Sequence, residues 1–199
     1  AIACLRALHR QMANLVAERT RCVHWMQKSL DQMNIQVHRA VTDMTGTTGM
    51  AIVRAIVAGE RDPSRLATFR DPRCRKSEAE IAQYLTGNWR QEHLFNLGTA
   101  LQLFDAVSQL IATYEARLHE EIESLRPPER QHQPVPSHPN PAKEKALRSR
   151  GEQERRTTLW QFAGDDLTRI DGISTGAALV ILTEIGPRVA AFPAGGGFV

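Results

Sequence analysis

Little in this chain of 199 residues could build a β-sandwich, a disulfide scaffold or a membrane span. Aromatics make up only 6% of it, and no stretch sustains an alternation of β-branched residues, which disfavours strands and leaves helices. The three cysteines, Cys4, Cys22 and Cys74, are odd in number and far apart. They form no C-x-x-C pair and have no histidine at ligand spacing, which points to a reduced, cytoplasmic setting. No apolar run approaches the roughly 18 residues of a membrane span, and the N-terminus lacks a basic-then-apolar signal pattern, so no membrane partner is expected. The 42% hydrophobic content allows one moderate domain or two small ones joined by a linker. The first residue is Ala rather than Met, which predicts a piece of a longer protein.

Catalytic groupings are also missing. A zinc or hydrolytic enzyme needs clustered ligands, or a nucleophile beside a base. His24, His38, His93 and His119 show no such spacing, and Glu92-His93 reads as a solvated surface pair on a helix. Glu120, Glu121 and Glu123 lie on a predicted helix where neighbours one or two residues apart point away from each other. Asp165-Asp166 are better placed as helix-start residues.

What the chain does have is an uneven charge distribution. Residues 1–76 carry 13 Lys/Arg against 6 Asp/Glu, whereas residues 77–126 carry 3 against 8. A basic N-terminal part suits phosphate as a partner, although a solvated helix face has the same composition.

Apolar residues recur at heptad spacing. Leu5, Met12, Met26 and Met33 form one row, interrupted only at Arg19, with Leu8, Leu15 and Cys22 beside it. Leu97, Phe104, Ile111, Leu118 and Leu125 form another, accompanied by Leu94, Leu101 and Ile122. The spacing predicts long helices over about 3–41 and 90–126, packed as an antiparallel coiled-coil hairpin. Their rows extend beyond what a lone hairpin would bury, so a homo-oligomer, a dimer at least, is expected. Between them "TGTTG" at 45–49 is expected to end the first long helix, and Gly59 the apolar run "MAIVRAIVA". Ser77 and Glu80 have capping-box spacing for a helix that Gly87 would close, so residues 45–88 form a small basic helical insert within 1–126.

Residues 127–142 begin with "PPERQHQPVPSHPNP", which holds six of the ten prolines, and read as a linker in which no helix or strand is sustained. Residues 143–199 follow as a C-terminal module that stops at "FPAGGGFV". Inside it, "LTRIDGISTGAALVILTEIG" at 167–186 reads as a helix-hairpin-helix-like motif. Leu167 and Ile170 would anchor the first helix, and Gly172-Ile173-Ser174 make the turn. Ala177, Ala178, Val180 and Ile181 would continue the second helix. Such a turn brings backbone N–H groups close to a phosphate with no side chain in the way, here at Ser174, Thr175 and Gly176. The usual second glycine of the turn is Ser174, and a plain tight corner packing an apolar helix is the competing reading.

Three stretches together carry a family resemblance: "QKSLDQMNIQVHRAVTDMTGTTGMAIVRAIVAGERDP" (27–63), "DPRCRKSEAEIAQYLTGNWRQEHLFNLGTALQLFD" (71–105) and "DDLTRIDGISTGAALVILTEIG" (165–186). The chain resembles the insertion-sequence transposases of the "one-ten" type, in which a RuvC-like DEDD nuclease domain is combined with a C-terminal transposase domain. The resemblance implies DNA transposition in a bacterial or archaeal cytoplasm, homo-oligomers on double-stranded DNA, and a structured guide RNA that bridges donor and target. It also implies an acidic tetrad holding Mg²⁺ and a serine nucleophile. Both are expected outside this chain, one before its start and one after its end. No catalytic residue is therefore assigned to Ser149, Ser174 or any other serine, and no cofactor is expected here beyond the Mg²⁺ of the full-length member.

The sequence thus predicts a mainly α protein that binds nucleic acid through two groups of residues. One is the basic tip, Arg54, Arg61, Arg65, Arg70, Arg73, Arg75 and Lys76. The other is the hairpin, Gly172, Ser174, Thr175 and Gly176. A stand-alone helical nucleic-acid-binding or scaffolding module is the alternative from a different class.

Overall fold

The computed structural model describes residues 1–187; the "FPAGGGFV" stretch read as the end of the C-terminal module lies outside the described residues. The chain is mainly helical and no strand occurs among those residues. It divides into two compact units, Leu15–Ile111 and, in the other, Ala1–Asn14 with the chain from Ala112 on. Both long helices contribute to each unit.

The Leu15–Ile111 unit is built on the later part of α1 (Ile2–Gln32) and the earlier part of α6 (Gln91–Ser124). Met26, Leu30 and Met33 share one apolar cluster with Leu97, Ala100 and Leu101, and none of the six is more than 6% exposed. Of the heptad rows, Met26, Met33, Leu97 and Leu101 are thus buried, while Leu94 and Phe104 are partly buried against the same cluster. α1 stops nine residues short of the position expected from its pattern, because Asn34 adopts the left-handed conformation (φ 59°) and the N–H of Ile35 reaches back to the Leu30 carbonyl. Ile35 and Val37 are then buried, and Val37–Ala40 forms the short helix α2. Their apolar character extended the apparent helix period past its true end.

"TGTTG" starts a helix rather than ending one. Gly46 is the N-cap of α3 (Thr47–Val57), and a Cβ on Gly49 would overlap the Met44 carbonyl. Gly59, at φ 108°, does close the apolar run of α3. α4 (Pro63–Ala67) has Pro63 at its start and Asp62 as cap. α5 (Glu78–Tyr84) carries both halves of the Ser77–Glu80 capping box. Gly87 does not close α5, whose C-cap is Leu85. Its role is close approach: a Cβ there would overlap the Met33 carbonyl, to which the neighbouring Asn88 N–H donates at 2.7 Å.

The other unit buries Leu5, Leu118, Ile122, Leu159, Phe162, Ala178 and Leu182. The proline-rich stretch belongs to this unit and holds a 3-10 turn, Pro128–Arg130, followed by α7 (Pro141–Ala146), which Asn140 caps through two backbone N–H groups. α8 (Arg150–Ala163) ends at Gly164 in the left-handed conformation. A 3-10 turn, Leu167–Arg169, then leads through Gly172 (φ 84°) into α9 (Thr175–Ile185).

Candidate nucleic-acid interface

The seven residues expected at the basic tip lie on or beside α3, α4 and the loop from Phe69 to Ser77, and their side chains are largely committed to the protein itself. Three of them are paired with carboxylates. Arg54 makes a two-pronged bond to Asp105 at 2.7 and 2.6 Å, which raises its already high pKa. Arg73 makes another with Asp71 at 3.0 and 3.1 Å, and that guanidinium, with the Arg73 backbone N–H, holds the Asp71 carboxyl down to about 2. Arg65 lies 3.5 Å from Glu60.

Three others are held by hydrogen bonds to backbone carbonyls. Arg61 donates to the carbonyls of Ile56 and Glu60, and its guanidinium lies 4.8 Å from the centre of the Trp89 ring. Arg70 donates to the carbonyls of Lys76 and Cys74, which closes the loop on itself. Lys76 donates to the Arg39 carbonyl at 2.5 Å and lies 5.3 Å from the Tyr84 ring centre. Arg75 is exposed, with no hydrogen bond or ion pair among the described residues. Together with Arg73 and Lys76, it lines a cleft of about 640 Å³ onto which Gly46, Thr47 and Thr48 also open. Arg70 and Lys76 are held by carbonyls but lie close enough to Asp71 and Glu80 to lower those carboxyls, so the least compensated charge of the tip sits at Arg61 and Arg75.

The hairpin keeps its turn but changes its first arm. Leu167–Arg169 is a 3-10 turn, not the end of a helix, and Ile170 is 53% exposed rather than an anchor. Leu167 and Ile173 pack against the core, and Ala178 and Leu182 are buried, whereas Val180 is exposed. Nothing lies within 4 Å of where a Gly172 Cβ would stand, so the glycine is needed for its backbone angle alone. Ser174 is the N-cap of α9, and its hydroxyl accepts from the Ala177 N–H at 3.1 Å. Thr175 and Gly176 follow as the first helical residues, so Ser174, Thr175 and Gly176 do open the second helix. Thr175 is only 2% exposed, and its hydroxyl donates to the Glu152 carboxylate. An internal anion thus already sits where α9 begins, in the position that the helix dipole favours.

Beside the hairpin the structure brings together charged residues that the sequence reading did not single out as a group. Arg156 is 3% exposed and donates to Asp166, Glu144 and the Pro136 carbonyl. Burial pushes the Asp166 carboxyl up. The Arg156 guanidinium and the hydrogen bonds from Thr168 outweigh that effect and hold it below its ordinary value. Asp166 also caps the 3-10 turn by accepting from the Thr168 N–H at 3.1 Å, in keeping with the helix-start role read from the sequence. Among the described residues no three of His, Cys, Asp and Glu come together as a metal-binding group. No described helix is long and apolar enough to cross a membrane. No family model, curated protein or solved structure matches the chain, which leaves its function to be argued from the residues themselves.

Proposed function

We propose that the chain is the nucleic-acid-binding and self-associating portion of an insertion-sequence transposase of the "one-ten" type, acting in DNA transposition with strand chemistry supplied by residues outside it. The observation that carries this reading is the tip. Arg61, Arg70 and Lys76 are hydrogen-bonded to backbone carbonyls rather than bridged directly to a carboxylate, and they stand beside Arg75, exposed and unpaired among the described residues; this supports a local excess of positive charge. Double-stranded DNA and a structured RNA share the phosphate chemistry that such a surface attracts. The 167–186 segment is read as a helix-hairpin-helix variant whose α9 N-terminus makes a second phosphate contact. α1 and α6 are read as an antiparallel coiled-coil hairpin that pairs with a second copy, supported by the exposed Val16, Trp25, Leu103 and Leu110 on these helices.

The test is the salt dependence of binding to short double-stranded DNA and to a stem-loop RNA, compared between the wild type and Arg75→Ala. Loss of one phosphate contact should weaken binding evenly across sequences and flatten the log–log salt slope by about one. An unchanged slope would remove the tip from the interface. Light scattering should show a dimer, and a monomer at concentrations on the order of tens of micromolar would count against self-association.

A further inference from the structure

The stretch whose prolines mark it as a spacer is tied to the turn ahead of α9 at three separate places. His138 is 6% exposed, and its Nδ1 accepts from the Asn140 N–H at 2.9 Å. That leaves Nε2 as the donor to the Thr168 carbonyl, 3.0 Å away. Lys143 Nζ stands 3.1 Å from the carboxylate of Asp171, the residue before the turn glycine. Glu144 accepts from the His138 N–H at 2.8 Å and from Arg156 at 3.2 Å. Arg156 reaches in both directions: to the Pro136 carbonyl at 2.8 Å and, through Nε and Nη2, to Asp166 at 3.0 and 2.6 Å. Asp166 in turn takes the Thr168 hydroxyl at 2.6 Å. Further along, the Gln161 side chain donates to the Gln133 carbonyl at 2.9 Å. Five prolines lie between residues 128 and 141, and they limit the freedom the segment must give up to lie this way.

We propose that residues 133–146 are a latch for the Gly172 turn, with Arg156 as its pin, so that the latch sets how the hairpin meets its ligand. The proposal rests on the reading that the hairpin contacts nucleic acid. Arg156, His138 and Glu144 act as positioning residues: none of them touches the ligand, and each fixes the 3-10 turn from which Gly172 and Ser174 follow. The buried guanidinium joins two carboxylates and a carbonyl and so favours one arrangement of them, whereas an apolar side chain of similar size would fill the same space without fixing these partners.

The experiment uses the full chain and two mild variants, His138→Ala and Glu144→Gln, which leave the buried Arg156–Asp166 pair in place. Amide exchange is measured along the chain, with affinity for short double-stranded DNA measured in parallel. Exchange at residues 168–174 should rise about tenfold in His138→Ala, as expected for loss of one buried hydrogen bond, and less in Glu144→Gln, which loses the charge but can still accept from His138 and Arg156, while amides in the middle of α8 and α9 stay protected. DNA affinity should fall severalfold in the same variants. Unchanged exchange at the turn in both variants would overturn the latch, as would an equal rise throughout α8 and α9, which signals general loosening. A turn that exchanges faster while affinity holds would overturn its part in binding. If the wild type binds no DNA, the nucleic-acid reading fails and this part of the proposal with it, while the exchange data still decide whether the latch exists.

Discussion

The two units solve the problem of a small core in different ways. In the Leu15–Ile111 unit the interior is almost wholly apolar: Met26, Leu30, Met33, Ile35, Ile52, Ile56 and Leu97 are at most 1% exposed, and the buried polar residues are Ser29 and Thr48. In the other unit a short apolar cluster is accompanied by buried His138, Arg156, Gln161, Thr168, Thr175 and Thr183. Buried apolar surface stabilises without regard to direction. Buried charge, by contrast, is tolerated only in one arrangement of partners. The first unit should therefore be robust to small rearrangements. The second should be more sharply specified and more easily broken by removal of a single group.

The largest effect expected from this contrast is at Arg156. Arg156→Met keeps the volume but leaves Asp166, whose side chain is 3% exposed, without its counter-charge, and should cost about 3–5 kcal/mol in denaturant unfolding. The double variant Arg156→Met, Asp166→Asn should recover part of that loss, because no buried charge is then stranded and the side-chain oxygen can still accept from Thr168. If the single variant unfolds like the wild type, the second unit is not specified by its charge network. The counterpart in the first unit is Leu97→Ala, which opens a cavity among Met26, Met33 and their neighbours and should cost about 2–5 kcal/mol with no sensitivity to pH.

Acid should separate the two units further. The carboxyls of Asp166 and Glu144 both lie below their ordinary values in the folded protein. A depressed folded pKa gives stability that is fully present above the unfolded value and lost as pH falls through the folded one. The second unit should therefore weaken as pH drops below about 4, the ordinary range of these groups. Trp160 lies in this unit and Trp25 and Trp89 in the other. With Trp25 and Trp89 replaced by Phe, Trp160 fluorescence should report this acid transition, and a signal that stays constant through that range would remove these carboxylates from the unit's stability. The pairs Arg73–Asp71 and Arg65–Glu60 in the first unit are exposed at the arginine, so their loss in acid is screened by solvent and should be small.

Features carried by near neighbours were legible in the sequence. The capping box of Ser77 and Glu80, the end of α3 at Gly59 and the buried heptad positions Met26, Met33, Leu97 and Leu101 all depend on residues a few positions apart. The end of α1 was not, because Ile35 and Val37 are apolar for the sake of a tertiary contact and prolong the apparent period. At the candidate interface the residue types were legible but their engagement was not. Arg54 meets Asp105 from 51 positions away and Lys76 meets the Arg39 carbonyl from 37, and no local pattern tells a carboxylate partner from a carbonyl. Arg156, Asp166 and Glu144 are chemically the same as surface residues, and only the fold reveals that they converge. The prolines suggested a spacer because proline cannot continue a helix or a ladder, yet it can still lie along a surface that donates to its carbonyl, as Arg156 does to Pro136.

The smallest predicted effect runs in a direction opposite to most substitutions. Glu152 places a carboxylate on the Thr175 hydroxyl at the start of α9, and its other oxygen lies 3.1 Å from Arg155. Any phosphate approaching the amides at the start of α9 must displace or repel that carboxylate. In Glu152→Gln the amide can still accept from Thr175, so the helix start keeps its partner, while the negative charge disappears and Arg155 is released. Stability should change by only a few tenths of a kcal/mol, the size of an exposed helix-terminus charge effect. Affinity for double-stranded DNA should rise about twofold to fivefold, with a steeper salt slope, because one repulsive charge has gone and one arginine has become free. Arg155→Ala provides the control, since it removes the cation and keeps the carboxylate, and should weaken binding. If Glu152→Gln binds DNA no more tightly than the wild type while melting at the same temperature, the start of α9 is not where phosphate is held. The nucleic-acid contacts would then belong to the basic tip of the Leu15–Ile111 unit.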